Sequence, residues 1–126
     1  MAAVGSEEVI LALASPPPPA AAVILRIDGE GAHRAFLDYL EKSGSPPESL
    51  PIRKPIEVCL PWKLNFPAVP ALAVAWAQGE SWTGNESVEV YFPGSDPILE
   101  GVMKLVQSAG VRLATPGEFT RRSFMN

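Results

Sequence analysis

Two charged residues stand inside apolar segments of this sequence. Arg26 lies in the nearly continuous apolar run 21–27, and Glu89 lies in the alternating run 88–92. Burying an ion without a partner costs several kcal/mol, roughly, so each side chain needs a partner. The two can pair with each other or reach water at a sheet edge, or they can line a ligand pocket.

The pocket interpretation has a definite chemistry. A carboxylate such as that of Glu89 accepts hydrogen bonds from a planar N–H/NH2 edge, as found on a pterin or a guanine. An arginine such as Arg26 donates to carbonyls and carboxylates. The residues alone favour the purely structural pairing and leave the pocket open.

Other reactive residues are few. The single cysteine, Cys59, lies in a short strand-like run and is predicted to be a small buried hydrophobe. The single histidine, His33, lies at a predicted helix start, and a nucleophilic pair of the two stays open. One histidine and one cysteine cannot form an ordinary zinc site within one chain. We expect Arg121 and Arg122 to lie on a solvated helix face rather than to clamp a phosphate.

Several classes of protein are excluded or disfavoured. The chain has no G-x-x-x-x-G-K-[ST], G-x-G-x-x-G or G-x-S-x-G motif, so it cannot bind GTP or ATP through a phosphate loop. Its net charge of -4 gives no overall electrostatic attraction to nucleic acid. We expect no membrane span and no signal peptide. A lone cysteine suits a reducing compartment, so we expect a cytoplasmic protein.

The elements that would position Arg26 and Glu89 follow from periodicity. The patterns predict a helix over 32–42, ended by Gly44, and a second over 97–109, capped by Ser95 or Asp96. A further helix would begin with Thr115 as its cap. The predicted strands are 9–14, 21–27, 56–60, 71–76, 88–92 and a short one at 111–114.

The predicted elements describe one domain spanning residues 1–126. We expect an α+β fold with one mixed sheet of about five strands and two main helices packed against it. The proline- and serine-rich segment 43–55 is predicted to be a loop.

Residues 115–126, Thr-Pro-Gly-Glu-Phe-Thr-Arg-Arg-Ser-Phe-Met-Asn, resemble the A-R-P-G-E-F-T-x-R-A-F-L-N signature of the tRNA-modification GTPases called MnmE or TrmE. Three more stretches agree in order and spacing. Residues 11–17 resemble A-x-A-T-P-P, residues 23–29 resemble I-x-R-I-S-G, and residues 81–90 resemble S-[FY]-T-G-E-D-x-[VL]-E-[LI].

The resemblance implies a tetrahydrofolate-binding domain that forms homodimers, with a fold related to the folate-binding domain of the glycine-cleavage aminomethyltransferase. The family's folate contacts correspond to Arg26 and Glu89. The implied ligand is 5-formyltetrahydrofolate or 5,10-methylenetetrahydrofolate, a one-carbon donor for modification of the tRNA wobble uridine. The implied partners are the GTPase and helical domains of a parent protein, with tRNA bound only by the full-length complex. This chain alone is expected to hold neither metal nor GTP and not to be catalytic.

The chain departs from the family pattern in two segments. Residues 18–20 replace a G-R-G segment and residues 92–95 replace G-H-G-G, and both are expected to lie in loops that border the pocket. Glycine lets backbone approach a ligand closely, and proline removes an amide donor. A scaffold whose folate pocket has decayed is therefore the alternative, and a stand-alone folate-dependent transferase is a third. The chain would be either an excised piece of such a GTPase or a divergent stand-alone relative.

Overall fold

The computed structural model describes residues 8–16, 20–44 and 46–125. Within these residues the chain forms six strands and three helices, which confirms the α+β class. The elements are β1 (Ile10–Leu13), β2 (Ala20–Asp28), α1 (Ala32–Leu40), β3 (Ile56–Leu60), β4 (Val69–Trp76), β5 (Ser87–Gly94), α2 (Asp96–Gln107), β6 (Arg112–Leu113) and α3 (Glu118–Met125).

All six strands belong to one mixed sheet in the order β3-β4-β5-β2-β1-β6. Neighbouring strands are antiparallel except for β1 and β6, which run parallel. The sheet has six strands against the expected number of about five, and its sixth strand, β6, is the short strand predicted at 111–114, which pairs with β1. The third helix, α3, is the further helix that was predicted after Thr115, beside the two main helices.

One face of the sheet is packed against α1 and α2. The alternation predicted for β5 is confirmed, because Val88, Val90 and Phe92 are buried while Glu89 and Tyr91 are only half-buried. The core on this face includes Val23, Leu25, Ile27, Phe36, Tyr39, Leu40, Val58, Leu60, Leu99, Val102 and Val106. Since successive strand residues point to opposite faces, the side chains of Arg26 and Glu89 lie on the other face.

On the β3 and β4 side, this second face stays open. Leu72 is 46% exposed, and Cys59 is exposed as well. The prediction of a buried cysteine was therefore wrong. Side chains alternate along β3, so Cys59 points away from the core while its neighbours Val58 and Leu60 face it.

The two main helices begin without side-chain caps of their own. At α1 the residue before the helix is Gly31, and the carboxylate of Glu86 accepts the backbone N–H groups of Gly31 and His33 at 3.0 and 3.1 Å. At α2, Ser95 precedes the helix in an extended conformation but makes no side-chain bond, contrary to the predicted cap. A single 3₁₀ turn, Glu41–Ser43, follows α1, and Gly44, in the left-handed region, ends it as predicted.

A helix capped by Thr115 would begin at Pro116, whereas α3 begins two residues later, at Glu118. Gly117 has φ +77°, a left-handed conformation that no right-handed helix accommodates. The backbone N–H of Arg121 donates to the carbonyl of Gly117, so the helix starts directly after this glycine. Glu118 accepts the backbone N–H of Thr115 at 2.9 Å, which folds the turn back onto the helix.

Candidate functional site

Arg26 and Glu89 are cross-strand neighbours. Their positions are paired in the register of β2 and β5, and Arg26 Nε donates to Glu89 Oε2 at 2.7 Å. The side chains are 37% and 16% exposed, respectively. The structure therefore brings the two predicted residues together, as an ion pair that is neither buried in the core nor free in solvent.

The pair keeps unused hydrogen-bonding capacity. Arg26 bonds through Nε alone, and both terminal nitrogens lack a partner among the described residues. Glu89 Oε1 accepts Tyr91 OH at 3.1 Å and Trp76 Nε1 at 3.4 Å. A carboxylate accepts about four hydrogen bonds, so one position remains on Oε2. The site can both donate to and accept from a ligand.

These neighbours also set the charge of the pair. Burial by itself would raise the pKa of Glu89, but the hydrogen bond and charge of Arg26, with the bonds from Tyr91 and Trp76, outweigh burial and lower it. Partial burial and the Glu89 charge raise the pKa of Tyr91. Near neutral pH the pair is therefore a carboxylate beside a guanidinium, with a protonated phenol next to them.

A cavity of about 240 Å³ opens beside the ion pair. Trp82, which is 58% exposed, stands at its rim with the guanidinium carbon of Arg26 6.0 Å from its ring centroid. Phe119, from the first turn of α3, contributes a second aromatic wall. The lining residues are Arg26, Asp28, Trp76, Glu80, Ser81, Trp82, Thr83, Ser87, Glu89 and Phe119.

A buried ionic network holds α3 against this cavity. Arg122 is 2% exposed, and its Nη1 lies 3.0 Å from Asp28 Oδ2, while its Nη2 donates to the backbone carbonyl of Glu8 at 2.7 Å. The expectation of a solvated arginine pair was therefore half wrong. Arg121 is exposed, but Arg122 turns inward because Asp28, at the end of β2, offers it a carboxylate.

The same network fixes the loop that carries Trp82. Thr83 Oγ1 and Asn85 Nδ2 both donate to the carboxylate of Asp28. Glu118, at the start of α3, is paired with Arg112 of β6 at 2.7 Å. The hydrogen bond from Arg112 lowers the pKa of Glu118 to about 2. Both aromatic walls of the cavity are thus tied to the sheet by charged side chains.

The remaining candidates lie outside this site. His33 Nε2 lies 3.0 Å from the carbonyl oxygen of Trp76 and 3.2 Å from that of Ser87, and Cys59 lies on the edge strand β3. Neither residue lines the cavity. Among the described residues there is no group of three or more histidine, cysteine or acidic side chains placed to hold a metal ion.

Two segments depart from the family pattern, and both were expected to lie in loops that border the pocket. Residues 92–95 form the end of β5 and the residue before α2, and Phe92 is buried in the core. They do not line the cavity beside Arg26, so the expected pocket-bordering loop was wrong for this segment. Of the other segment, residues 18 and 19 lie outside the described residues.

Comparison with known proteins agrees with the motif resemblance. Residues 9–126 match the model of the family described as GTP-binding protein TrmE N-terminus. The chain belongs to this family.

Curated relatives support the assignment over nearly the whole chain. A tRNA modification GTPase MnmE of Rhodopirellula baltica is 33% identical over 127 residues, and one of Chlorobium chlorochromatii is 30% identical over 122 residues. Each match covers 95% of this chain and 26% of the relative. A shorter match, 50% identical over 46 residues, is to the MnmE of Syntrophus aciditrophicus and covers 36% of this chain and 10% of that relative. The chain thus spans about a quarter of the length of the first two TrmE-family relatives and corresponds to their N-terminal domain.

Sequence reasoning missed several residues of the site. Trp82 and Phe119 lie within the motifs quoted for the resemblance, but nothing in their local pattern shows that two segments far apart in sequence form one cavity. Asp28 was assigned to a turn, although it is 1% exposed and carries the ionic network. The sequence did offer a signal for Asp28. This acid directly follows the apolar run 21–27, and the chain also carries two neighbouring arginines, Arg121 and Arg122.

Proposed function

We propose that this TrmE-family domain binds a tetrahydrofolate one-carbon donor, 5-formyltetrahydrofolate or 5,10-methylenetetrahydrofolate, with Arg26 and Glu89 as its contacts. The observation that carries the proposal is the ion pair with unused donors and one unused acceptor position at the side of an aromatic-walled cavity. A pterin ring is flat and has N–H donors beside a carbonyl acceptor. Its polar edge matches the ion pair, and its faces match Trp82 and Phe119.

Aromatic walls add to the polar contacts. Offset or edge-to-face contacts between aromatic rings contribute roughly 0.5–1.5 kcal/mol beyond the buried area. Trp82 exposes a large ring at the rim, where a ligand would cover it. The ionic network of Asp28 holds both walls in place before binding, so little ordering is required when a ligand enters.

We further propose that two copies of the domain pair. The open face of the sheet carries an exposed patch on β3, β4 and β5, formed by Cys59, Pro70, Leu72 and Tyr91 with the carboxylate of Glu57 beside Leu72. Tyr91 is hydrogen-bonded to Glu89, so this patch borders the proposed ligand site. A second copy that covers the patch would therefore lie close to the bound folate.

In the proposed role the domain works as part of a cytoplasmic tRNA-modification GTPase, in which the folate supplies a one-carbon unit for the wobble uridine. The support is the family membership and the function named for the relatives. The GTPase and helical domains of such a protein would be its partners, and tRNA would bind only to the whole assembly. Among the described residues, no helix has the length and apolar character needed to cross a membrane.

Isothermal titration calorimetry with 5-formyltetrahydrofolate tests the ligand assignment. Hydrogen bonds to charged groups contribute about 1.5–3 kcal/mol each, so Arg26→Ala and Glu89→Ala should each weaken binding roughly ten- to a hundredfold. Arg34 and Asp38 form an exposed ion pair on α1 at 3.3 Å and provide the matched controls. Arg34→Ala and Asp38→Ala should bind like the unaltered chain.

A decayed scaffold is the second candidate function. The observation that favours it is the 2.7 Å bond between Arg26 and Glu89, because the two side chains already satisfy part of each other's capacity. The cavity beside the pair argues against it. If the unaltered chain gives no heat of binding with millimolar 5-formyltetrahydrofolate, the ligand proposal is wrong, and a scaffold is supported if the chain still forms dimers.

A further inference from the structure

The loop of residues 61–68, which joins β3 to β4, is tied to the rest of the domain. Tyr39 OH, from α1, donates to the backbone carbonyl of Pro61 at 2.6 Å. Within the loop, Trp62 Nε1 donates to the backbone carbonyl of Pro67 at 3.0 Å. One bond thus fixes the start of the loop, and the other closes it across its width.

Three further contacts order the same loop. The backbone oxygen of Trp62 packs directly on α2, where a Cβ atom at Gly101 would overlap it, so only glycine permits this approach. The ring of Trp62 meets that of Phe66 edge to face, with centroids 5.3 Å apart. On the Phe66 ring, Lys63 Nζ lies 4.5 Å from the centroid, in cation–π geometry.

This ordered loop exposes two large apolar side chains. Leu64 is 86% exposed, and Phe66 is 50% exposed. Ordering a loop costs conformational entropy, and apolar surface left in water returns no free energy. A single exposed apolar residue needs no explanation, whereas apolar side chains grouped around a cavity indicate a contact surface.

A cavity of about 320 Å³ lies between the loop and the end of α2, and we call it the β3–β4 groove. Leu64 and Phe66 line it together with Ala68 and with Leu105 of α2. Its volume falls at the lower end of the range of ligand sites, roughly 300–1,000 Å³. The groove is therefore large enough to take one or two apolar side chains of a partner.

The charged part of the groove is basic. Lys42 and Lys63 are exposed and line it, and its described lining contains no acidic residue. Neither lysine forms an ion pair with another described residue. The whole chain has a net charge of -4, so the groove is a local exception. An ammonium group donates hydrogen bonds and accepts none, so a complementary partner brings carboxylates.

We infer that the β3–β4 groove docks an acidic amphipathic segment of another protein. An apolar side chain of that segment enters the groove against Leu105, its carboxylates face Lys42 and Lys63, and Leu64 packs against it from the rim. The contacts of Trp62 order the loop in advance, so little conformational freedom is lost on binding.

Charge and shape favour a protein segment over a lipid surface. Anionic lipid headgroups attract lysine, but the net negative charge of the chain opposes its approach to such a surface. The groove is also concave, which suits an inserted side chain better than a flat bilayer.

The groove is separate from the proposed folate site. It adjoins the start of β4, whereas the loop with Trp82 follows the end of this eight-residue strand. A strand of that length spans roughly 25 Å. The inference therefore does not depend on folate binding.

Selection from a random dodecapeptide library displayed on phage, with the immobilised chain as target, tests the inference. Selected peptides should carry aspartate or glutamate next to leucine, isoleucine or an aromatic residue. Synthetic copies should bind with micromolar dissociation constants, measured by fluorescence anisotropy. Failure to enrich any peptide, or enrichment of peptides without acidic residues, would overturn the inference.

Variants of the chain locate the binding. Leu64→Ser and Lys63→Glu should each weaken binding of the selected peptides at least tenfold. Phe124→Ser, at an equally exposed residue of α3, and Lys54→Glu, at an exposed lysine outside the groove, are the matched controls and should bind like the unaltered chain. Thermal unfolding checks that all four variants are folded. Equal effects in variants and controls would overturn the inference.

A charge exchange distinguishes direct contact from an indirect effect. A peptide whose acidic residues are replaced by lysine should bind Lys63→Glu at least fivefold more tightly than it binds the unaltered chain. Absence of this rescue would show that Lys63 does not face the carboxylates, which contradicts the proposed docking.

Other occupants of the groove give different results. Binding through Leu64 to vesicles of phosphatidylcholine and phosphatidylserine in equal parts, without peptide binding, would assign the groove to a membrane surface. A dimer that dissociates in Leu64→Ser would assign it to a second copy of this chain. Either result overturns the inference. Leu64→Ser should bind 5-formyltetrahydrofolate like the unaltered chain, so the proposed function and this inference can fail separately.

Discussion

At the scale of single residues, Arg26 and Arg122 show how the surroundings decide what an arginine does. Both pair with an acid, and both lie on the face of the sheet away from α1 and α2. Arg122 is 2% exposed and bonds through both terminal nitrogens, so its interactions are structural. Arg26 bonds through Nε alone beside an open cavity, so its donors are available to a ligand.

Arg122→Met tests the structural role of this arginine. Removing one partner leaves the carboxylate of Asp28 buried and poorly compensated, which typically costs 3–5 kcal/mol, roughly. We expect a loss of that order in the free energy of unfolding, measured by urea denaturation. Arg121→Met, at the adjacent exposed position, should change it by about 0.5 kcal/mol or less.

A double variant keeps this test decisive. Asp28→Asn combined with Arg122→Met removes both charges, while the oxygen of the introduced amide still accepts from Thr83. The double variant should recover at least half of the stability that Arg122→Met loses. Equal losses in Arg121→Met and Arg122→Met would show that the buried pair contributes nothing specific.

At the scale of elements, periodicity predicted the strands and the first two helices because each buries one face against the core. Alternation in 88–92 also assigned Glu89 to the correct side of β5. The start of α3 was misplaced because the left-handed conformation of Gly117 is set by the contacts of the whole turn. The burial of Arg122 could not be predicted either, since its partner Asp28 is 94 residues away in sequence.

The Arg26–Glu89 pairing was one of the alternatives that burial arguments had raised, because two unpaired charges in apolar strands need partners. The cavity beside the pair, by contrast, could not be predicted from local sequence patterns. It depends on Trp82 from one loop and Phe119 from α3 meeting over the sheet, and only the tertiary structure brings these rings together. Local patterns therefore found the polar side of the site and missed its aromatic walls.

The anchoring of α3 should depend on pH. The pKa of Glu118 is lowered from 4.5 to about 2 by Arg112, so its contribution to stability is complete above about pH 5. That contribution is lost as pH falls through 4.5 towards 2, at about 1.4 kcal/mol per pKa unit. The unfolding free energy of the unaltered chain should therefore exceed that of Glu118→Gln at pH 6, and the difference should shrink by pH 3.

Urea denaturation at pH 6, 4 and 3 measures this difference. Glu100→Gln, at an exposed position of α2 with no ion pair among the described residues, is the control and should show a small, nearly constant difference. A difference for Glu118→Gln that does not change between pH 6 and pH 3 would contradict the assigned role of the Arg112–Glu118 pair.

At the scale of the whole molecule, the sheet is covered unevenly. Helices α1 and α2 pack on one face, while α3 and the loop with Trp82 occupy only part of the other. The remaining part of that face carries the exposed patch of Glu57, Cys59, Pro70, Leu72 and Tyr91, next to the proposed ligand site. This unevenness is the physical basis of the proposed pairing of two copies.

Sedimentation equilibrium tests the pairing. A carboxylate at position 72 would be desolvated at the interface, so Leu72→Glu should raise the dissociation constant of the dimer at least tenfold. Leu64→Glu alters an exposed leucine in the loop between β3 and β4 and should leave the dimer unchanged. An unaltered chain that stays monomeric at high micromolar concentration, or equal effects of both variants, would contradict the proposed interface.

The central claim is that Arg26 and Glu89 together receive the polar edge of a planar heterocycle, and a crystal structure of the chain with 5-formyltetrahydrofolate tests it most directly. We predict the pterin ring between Trp82 and Phe119, with an N–H donor within about 3.2 Å of a Glu89 carboxylate oxygen and a terminal nitrogen of Arg26 facing a ring acceptor. A folate bound elsewhere on the domain, with this ion pair untouched, would contradict the account.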